Sequence, residues 1–424
     1  MTSPFARCSA RLLLVLPALA LASCGGSGVG TLITVPNSVV VGDFNGDGVV
    51  DVAVARAQID ETGITQKPGL LSIILNTKSK PGTFLAAVNY NASSSPPSGL
   101  AVGDLTGNGS HDMVVANLNA GTLSVFMETS PTSGTYGAAT TISVGGQPND
   151  VQIADLDGDG LPDLIVADNL GKVTYLIQNH AKPGTFNAGV SLPITNRGIA
   201  VAVGDLNGDG LPDLAVTSFD AYGDGGQVTI YFQDSNPANR GTFVTATGTA
   251  LSPLTIAAPG EPSQIRIADL RNAGTNDIVV ALQGLGANSA TDTTEAANGA
   301  MVILQNLGAP GTFAAPVVYP GASGTISLAI GDLNNDGLPD IAMCSLYPQG
   351  QGFIVTLMQV AGAPGTFGTA TSYAGQGQPV SIAIADVNDD GLPDLVTADG
   401  TLAVWLANQT ATPGTFLTQG EIGL

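Results

Sequence analysis

Five stretches of the chain place oxygen-bearing side chains at every second position: Asp43–Asp51 (DFNGDGVVD), Asp155–Asp163 (DLDGDGLPD), Asp205–Asp213 (DLNGDGLPD), Asp332–Asp340 (DLNNDGLPD) and Asp386–Asp394 (DVNDDGLPD). Numbered from one to nine, each has Asp or Asn at positions 1, 3, 5 and 9, and position 7 can offer its backbone carbonyl. A short loop of this kind can wrap a hard cation in about six oxygens at about 2.3–2.6 Å. Glycine at position 6 permits the sharp turn that folds the loop back on the ion.

The candidate ligands are Asp43, Asn45, Asp47, Val49 and Asp51 in the first stretch, and Asp155, Asp157, Asp159, Leu161 and Asp163 in the second. They are Asp205, Asn207, Asp209, Leu211 and Asp213 in the third, and Asp332, Asn334, Asp336, Leu338 and Asp340 in the fourth. In the last they are Asp386, Asn388, Asp390, Leu392 and Asp394. No His or Cys enters the set, which argues against zinc and copper. Magnesium would keep more water and needs fewer protein ligands, so calcium is the expected cofactor, at about five ions per chain. The alternative is a run of Asx turns that needs no metal, but clustered carboxylates repel one another without a cation. The first three ligands match the start of an EF-hand loop. Position 12, where that loop needs Glu, is instead Val54, Val166, Val216, Met343 or Thr397.

Two degenerate copies lie between the full ones. DLTGNGSHD from Asp104 keeps two carboxylates, Asp104 and Asp112, with Thr106 and Asn108 between them, and should bind weakly or not at all. DLRNAGTND from Asp269 has Arg271 and Ala273 at positions 3 and 5. No metal is expected there; the Arg271 charge is expected to stand near Asp269 and Asp277 in its place.

The seven motifs start 61, 51, 50, 64, 63 and 54 residues apart, and each is followed by a PGTF turn or a variant of it. These turns begin at Pro81, Ser133, Pro183, Arg240, Pro310, Pro364 and Pro413. Every unit reads as an alternating apolar run, the acidic loop, a second and third β-rich run, the turn and a fourth run. The expected fold is therefore all-β, a seven-bladed β-propeller of four-stranded blades over residues 31–424. The acidic loops would join the first two strands of each blade.

This grammar resembles the FG-GAP repeat of integrin α-subunit propellers. It is still more similar to bacterial VCBS/FG-GAP repeat proteins, through the string GDLNGDGLPDL at residues 204–214. The resemblance implies a seven-bladed propeller with calcium in the loop between the first two strands. It implies little about function, because such propellers serve as adhesion modules, sugar-binding domains and scaffolds of certain lyases.

Residues 1–24 have the layout of a bacterial export signal, with Arg7 and Arg11 before the apolar run Leu12–Ala22. LASC, Leu21–Cys24, resembles a lipoprotein lipobox, so Cys24 is the candidate lipidation site and residues 25–30 a flexible tether. The alternative is ordinary cleavage near Ala22, or a short anchor. Cys344, in an apolar run, reads as a buried small residue, and no disulfide framework is expected. The expected location is the bacterial cell envelope, outer-membrane, periplasmic or surface, with membrane contact only through the lipid.

The formal charge is −22; removing Arg7 and Arg11 leaves 10 basic against 34 acidic residues, or −24. Such a surface repels phosphate backbones, so nucleic acid is not an expected partner. Strand alternation puts the acidic loops and PGTF turns on one uniform face. The long second-to-third connections emerge on the other: Gln58–Gly69, Phe219–Gly226, Gly284–Gly299 and Leu346–Gly352. Recognition usually sits on long loops of a rigid scaffold. Phe219, Asp220, Tyr222, Asp224 and Tyr347 are candidate contacts for a glycan or protein, since aromatics beside carboxylates suit both; neutral insertions are the alternative. His111 and His180 have no partner motif, so a non-enzymatic binding or adhesion module is expected. A structural envelope component and a polysaccharide-acting enzyme are the alternatives.

Overall fold

The computed structural model describes residues 33–59, 66–219, 226–243, 253–283, 298–304, 310–321, 324–345, 352–375, 377–399, 402–407 and 413–422. Among these described residues there are 28 strands. Blade 1 is β1–β4 (Ile33–Gly42, Asp51–Ile59, Gln66–Ile74, Val88–Ser93), and blade 2 is β5–β8 (Pro97–Gly103, Asp112–Asn117, Thr122–Phe126, Thr140–Ser143). Blade 3 is β9–β12 (Pro148–Ala154, Asp163–Asp168, Lys172–Leu176, Val190–Pro193). Blade 4 is β13–β16 (Arg197–Gly204, Asp213–Phe219, Gly226–Tyr231, Leu254–Ala258). Blade 5 is β17–β20 (Pro262–Ala268, Asp277–Gln283, Asn298–Ile303, Val317–Pro320). Blade 6 is β21–β24 (Thr325–Gly331, Asp340–Ser345, Phe353–Leu357, Thr371–Ala374), and blade 7 is β25–β28 (Ser381–Ala385, Asp394–Ala398, Leu402–Ala407, Phe416–Ile422).

Every blade is an antiparallel sheet of four strands in sequence order, so the architecture is the expected seven-bladed propeller. Among the described residues no helix is long and apolar enough to cross a membrane.

The core is divided into seven apolar clusters, one between each pair of neighbouring blades. Both sequence motifs feed them. Position 2 of each acidic loop is buried in the cluster facing the next blade: Phe44, Leu105, Leu156, Leu206, Leu270, Leu333 and Val387. The aromatic residue of each PGTF-type turn enters the cluster facing the preceding blade, as Tyr136 does beside Phe44 and Phe243 beside Leu156. The two motifs keep step along the chain because each blade interface needs one of each.

The sequence leaves ring closure open between a borrowed strand and simple packing. The structure closes by packing. β1 pairs with β2 and β28 with β27, so no strand is exchanged. Val39, Val52, Val54 and Ile74 of blade 1 pack on Val387, Val396, Leu402 and Val404 of blade 7. Asn76 Nδ2 also donates to Val387 O across the seam at 2.7 Å.

Phe219, the one described member of the candidate rim, ends β14 and is half-buried, paired with Arg197 and Gly226 in the sheet. Asp220, Tyr222, Asp224, Tyr347 and Cys24 lie outside the described residues. Cys344 is buried in the cluster between blades 6 and 7.

Candidate metal centres

Each acidic loop joins the first and second strands of its blade and folds through a ladder of Asx turns. In blade 3, Asp155 Oδ1 accepts from Gly158 N at 2.7 Å and Asp159 N at 3.2 Å, and its Oδ2 from Gly160 N at 2.9 Å. Asp157 Oδ1 accepts from Asp159 N at 3.2 Å, and Asp159 Oδ1 from Leu161 N at 2.8 Å. Asp43, Asp205, Asp332 and Asp386 each accept from position 6 through Oδ2, at 2.7–2.8 Å. Asn45, Asn207, Asn334 and Asn388 each accept from the amide at position 5, at 2.9–3.1 Å. Val49, Leu211, Leu338 and Leu392 donate their amides to Asp47, Asp209, Asp336 and Asp390, at 2.9–3.0 Å. These bonds fold each side chain back over its own loop.

Two positions must be left-handed. Position 6 is glycine in all seven loops, always with positive φ, as at Gly48 (95°) and Gly160 (88°). Position 4 has positive φ as well, and where it is not glycine it is Asn272 (50°), Asn335 (59°) or Asp389 (58°). Asn and Asp tolerate that region better than other L-residues. The sequence reading gave this constraint to position 6 alone, although the Gly/Asn/Asp restriction at position 4 was visible.

In the blade 3 loop, carboxylate oxygens of Asp155, Asp157 and Asp159 all lie within 4.8 Å of one another. Asp163 is not in that group. It is buried, its Oδ2 accepting from Leu156 N at 2.8 Å and its Oδ1 from Gln178 N at 2.7 Å. The same pair of backbone bonds holds Asp51, Asp213, Asp340 and Asp394. Position 9 thus bolts the loop to the end of the third strand, with one lone pair per oxygen left for a cation.

Burial pushes these bolts up to about 6 at Asp51, Asp340 and Asp394 and about 7 at Asp163 and Asp213. The backbone amides pull the other way, and the carboxylates at positions 1, 3 and 5 add to the rise. Such a site is short of positive charge. Its all-oxygen donor set and converging carboxylates fit a hard divalent cation.

The degenerate loops differ as their sequences suggest. Arg271 Nη2 reaches Asp277 Oδ1 at 2.6 Å and its Nε reaches Oδ2 at 3.1 Å, so a guanidinium occupies blade 5 where the other loops gather carboxylates. Its contact to Asp269 is through the backbone, Arg271 N to Oδ1 at 3.3 Å. In blade 2, Asp104 and Asp112 keep the loop's backbone bonds, but the Thr106 hydroxyl is buried without a hydrogen-bond partner among the described residues. Side chains from the turn after the third strand of the same blade reach two of the loops: His180 Nδ1 lies 3.0 Å from Asp159 Oδ2, and Lys78 Nζ donates to Asp47 O.

One set of residues was missed from the sequence. Asn76, Gln178, Gln233 and Gln359 follow the third strand at equivalent places. Their side-chain oxygens accept from the turn glycines Gly82, Gly184, Gly241 and Gly365 at 2.6–3.0 Å. Their NH₂ groups donate to the carbonyl of position 8, which is Val50, Pro162, Pro212 or Pro339. Gln233 and Gln359 also reach position 2 of the preceding blade's loop, Leu156 O at 3.0 Å and Leu270 O at 2.9 Å. Blade 2 has Glu128 instead, whose Oε2 accepts from His111 N at 2.9 Å, an amide that proline lacks. The amide residue that recurs ahead of most of the PGTF-type turns was the available signal.

A family model described as FG-GAP-like repeat matches residues 43–115, 104–166 and 155–216. Residues 43–216 are FG-GAP-like repeats within the seven-bladed propeller. The three matches overlap and step from blade to blade, and the three later loops, from Asp269, Asp332 and Asp386, keep a similar spacing and the same backbone bond from position 6 to position 1. No curated protein matches this chain. Two crystal structures described as BBS1N in complex with ARL6DN resemble it in fold. The one soaked with mercury is 9% identical with a TM-score of 0.51, covering 88% of this chain and 92% of that one. The one soaked with lead is 10% identical with a TM-score of 0.52, covering 88% and 93%.

Proposed function

We propose that this FG-GAP propeller is a calcium-stabilised, non-enzymatic binding module, exported and held in a bacterial envelope by a lipid on Cys24, that recognises a glycan or a protein. The observation behind this reading is the unequal use of the two faces. On one, seven loops repeat one backbone design, and Asn76, Gln233 and Gln359 tie three of the blades to the loop of the blade before. A face so constrained suits ion binding and rigidity. By strand alternation the second-to-third connections, which vary in length, leave the opposite ends of the strands, where a rigid scaffold can present them to a ligand. The ions would neutralise the clustered carboxylates and stabilise the folded state by mass action, a role that disulfides fill in many exported proteins.

The test is a screen of the chain from residue 25 on a glycan array and against envelope proteins, with calcium present. Saturable binding that is lost on replacing Phe219, Tyr222 or Tyr347, with the melting temperature unchanged, supports the reading. Binding that survives those replacements, or turnover of a polysaccharide, counts against it.

A further inference from the structure

We propose that Asn45 is a site of spontaneous deamidation, at which the first acidic loop converts an amide into a carboxylate. The reaction is the attack of the Gly46 backbone nitrogen, after loss of its proton, on Asn45 Cγ. The Cγ–Nδ2 bond breaks, ammonia leaves and a succinimide forms. Water then opens the ring at either carbonyl, giving aspartate or its β-linked isomer. The net change is one water consumed and one ammonia released.

Four observations favour this residue. First, the attacking nitrogen belongs to a glycine, which has no side chain to obstruct the ring. It must be glycine: φ is 66°, and a Cβ there would meet Thr132 Cβ at 2.4 Å. Second, that nitrogen is free. Gly208 N, its counterpart in blade 4, donates to Asp205 Oδ1 at 2.6 Å, and Gly158 N to Asp155 Oδ1 at 2.7 Å, whereas Gly46 N makes no hydrogen bond among the described residues. Third, Asn45 is half-buried and Gly46 exposed, so water reaches the pair, while Asn45 Oδ1 accepts from Asp47 N at 2.9 Å and folds the side chain along the following peptide. Fourth, blade 3 already carries Asp157 at this position in the same turn ladder, so the loop accommodates a carboxylate there.

The propeller supplies its own comparison. Asn334 and Asn388 occupy the same loop position, but Asn335 and Asp389 follow them, and a side chain on the next residue hinders ring closure. Asn207 precedes a glycine whose nitrogen is engaged, and its own Nδ2 donates to Asp209 Oδ2 at 3.2 Å. The order of reactivity should be Asn45 first, Asn207 second, Asn334 and Asn388 last. The inference is independent of which ion the loops bind.

The experiment is incubation of the folded chain at mildly alkaline pH in heavy-oxygen water, followed by peptide mass spectrometry with fragmentation that separates aspartate from its β-linked isomer. The expected result is heavy oxygen at position 45 in both products, accumulating faster than at Asn207, with Asn334 and Asn388 intact. An Asn45→Gln variant should lose the signal at position 45 while Asn207 still converts. The proposal is overturned if Asn45 stays intact while the denatured chain converts, or if it reacts no faster than Asn334 and Asn388.

Discussion

Replacing Gln359 with alanine tests the linkage between loops most directly. Gln359 is buried, and its carboxamide serves three backbone groups at once. Nε2 donates to Leu270 O of blade 5 at 2.9 Å and to Pro339 O at 2.5 Å, and Oε1 accepts from Gly365 N at 2.6 Å. Alanine would strand two carbonyls and one amide, each costing about 1–3 kcal/mol when buried without a partner. Water entering the vacated space would recover part of that, so the expected loss is about 2–5 kcal/mol. Blade 7 bounds the effect, because Ala407 stands at the equivalent place and still donates its amide to Asp394 at 2.7 Å. The assay is urea unfolding followed by circular dichroism, with and without calcium, comparing midpoints at constant slope. Gln359→Glu should be at least as damaging, since a carboxylate cannot donate to either carbonyl. A loss under about 0.5 kcal/mol for both variants, the usual range of an unimportant surface change, would refute the idea that this residue ties blade 6 to blade 5.

Two further outcomes are expected. The position 9 aspartates lie near 6–7 in the folded chain against about 3.9 when unfolded. The metal-free protein should therefore lose stability as pH rises between those values, by about 3–4 kcal/mol per loop at most; melts in chelator at about pH 5 and pH 8 should show part of the drop, calcium should abolish it, and a flat profile in chelator would count against the burial argument. Arg271→Met should cost about 3–5 kcal/mol by leaving the buried Asp277 without its guanidinium, and pairing it with Asp277→Asn should restore part of that, measured by the same urea titrations.

Much of the fold was legible because its constraints are local and repeated. Seven acidic loops in step with seven PGTF-type turns require one supersecondary unit used seven times. Arg271 was likewise readable, because a cation at ligand position 3 has a carboxylate six residues on to meet. The bolting role of position 9 was not readable. In the sequence Asp163 looks like a fourth ligand; only the fold brings Leu156 N and Gln178 N to its two oxygens. Gln233 was missed for a similar reason, since its partner Leu156 lies 77 residues away. Ring closure was also undetermined, because Val39 and Val404 are ordinary strand residues whose contact exists only once the blades are arranged.

The measurement that tests the central claim most directly is metal analysis of the purified chain from residue 25, alongside thermal melts in calcium and in EDTA. About five bound calcium ions and a large fall in melting temperature in EDTA are the expected result. No bound calcium and coincident melts would contradict it, and the acidic loops would then stand as Asx-turn scaffolding alone.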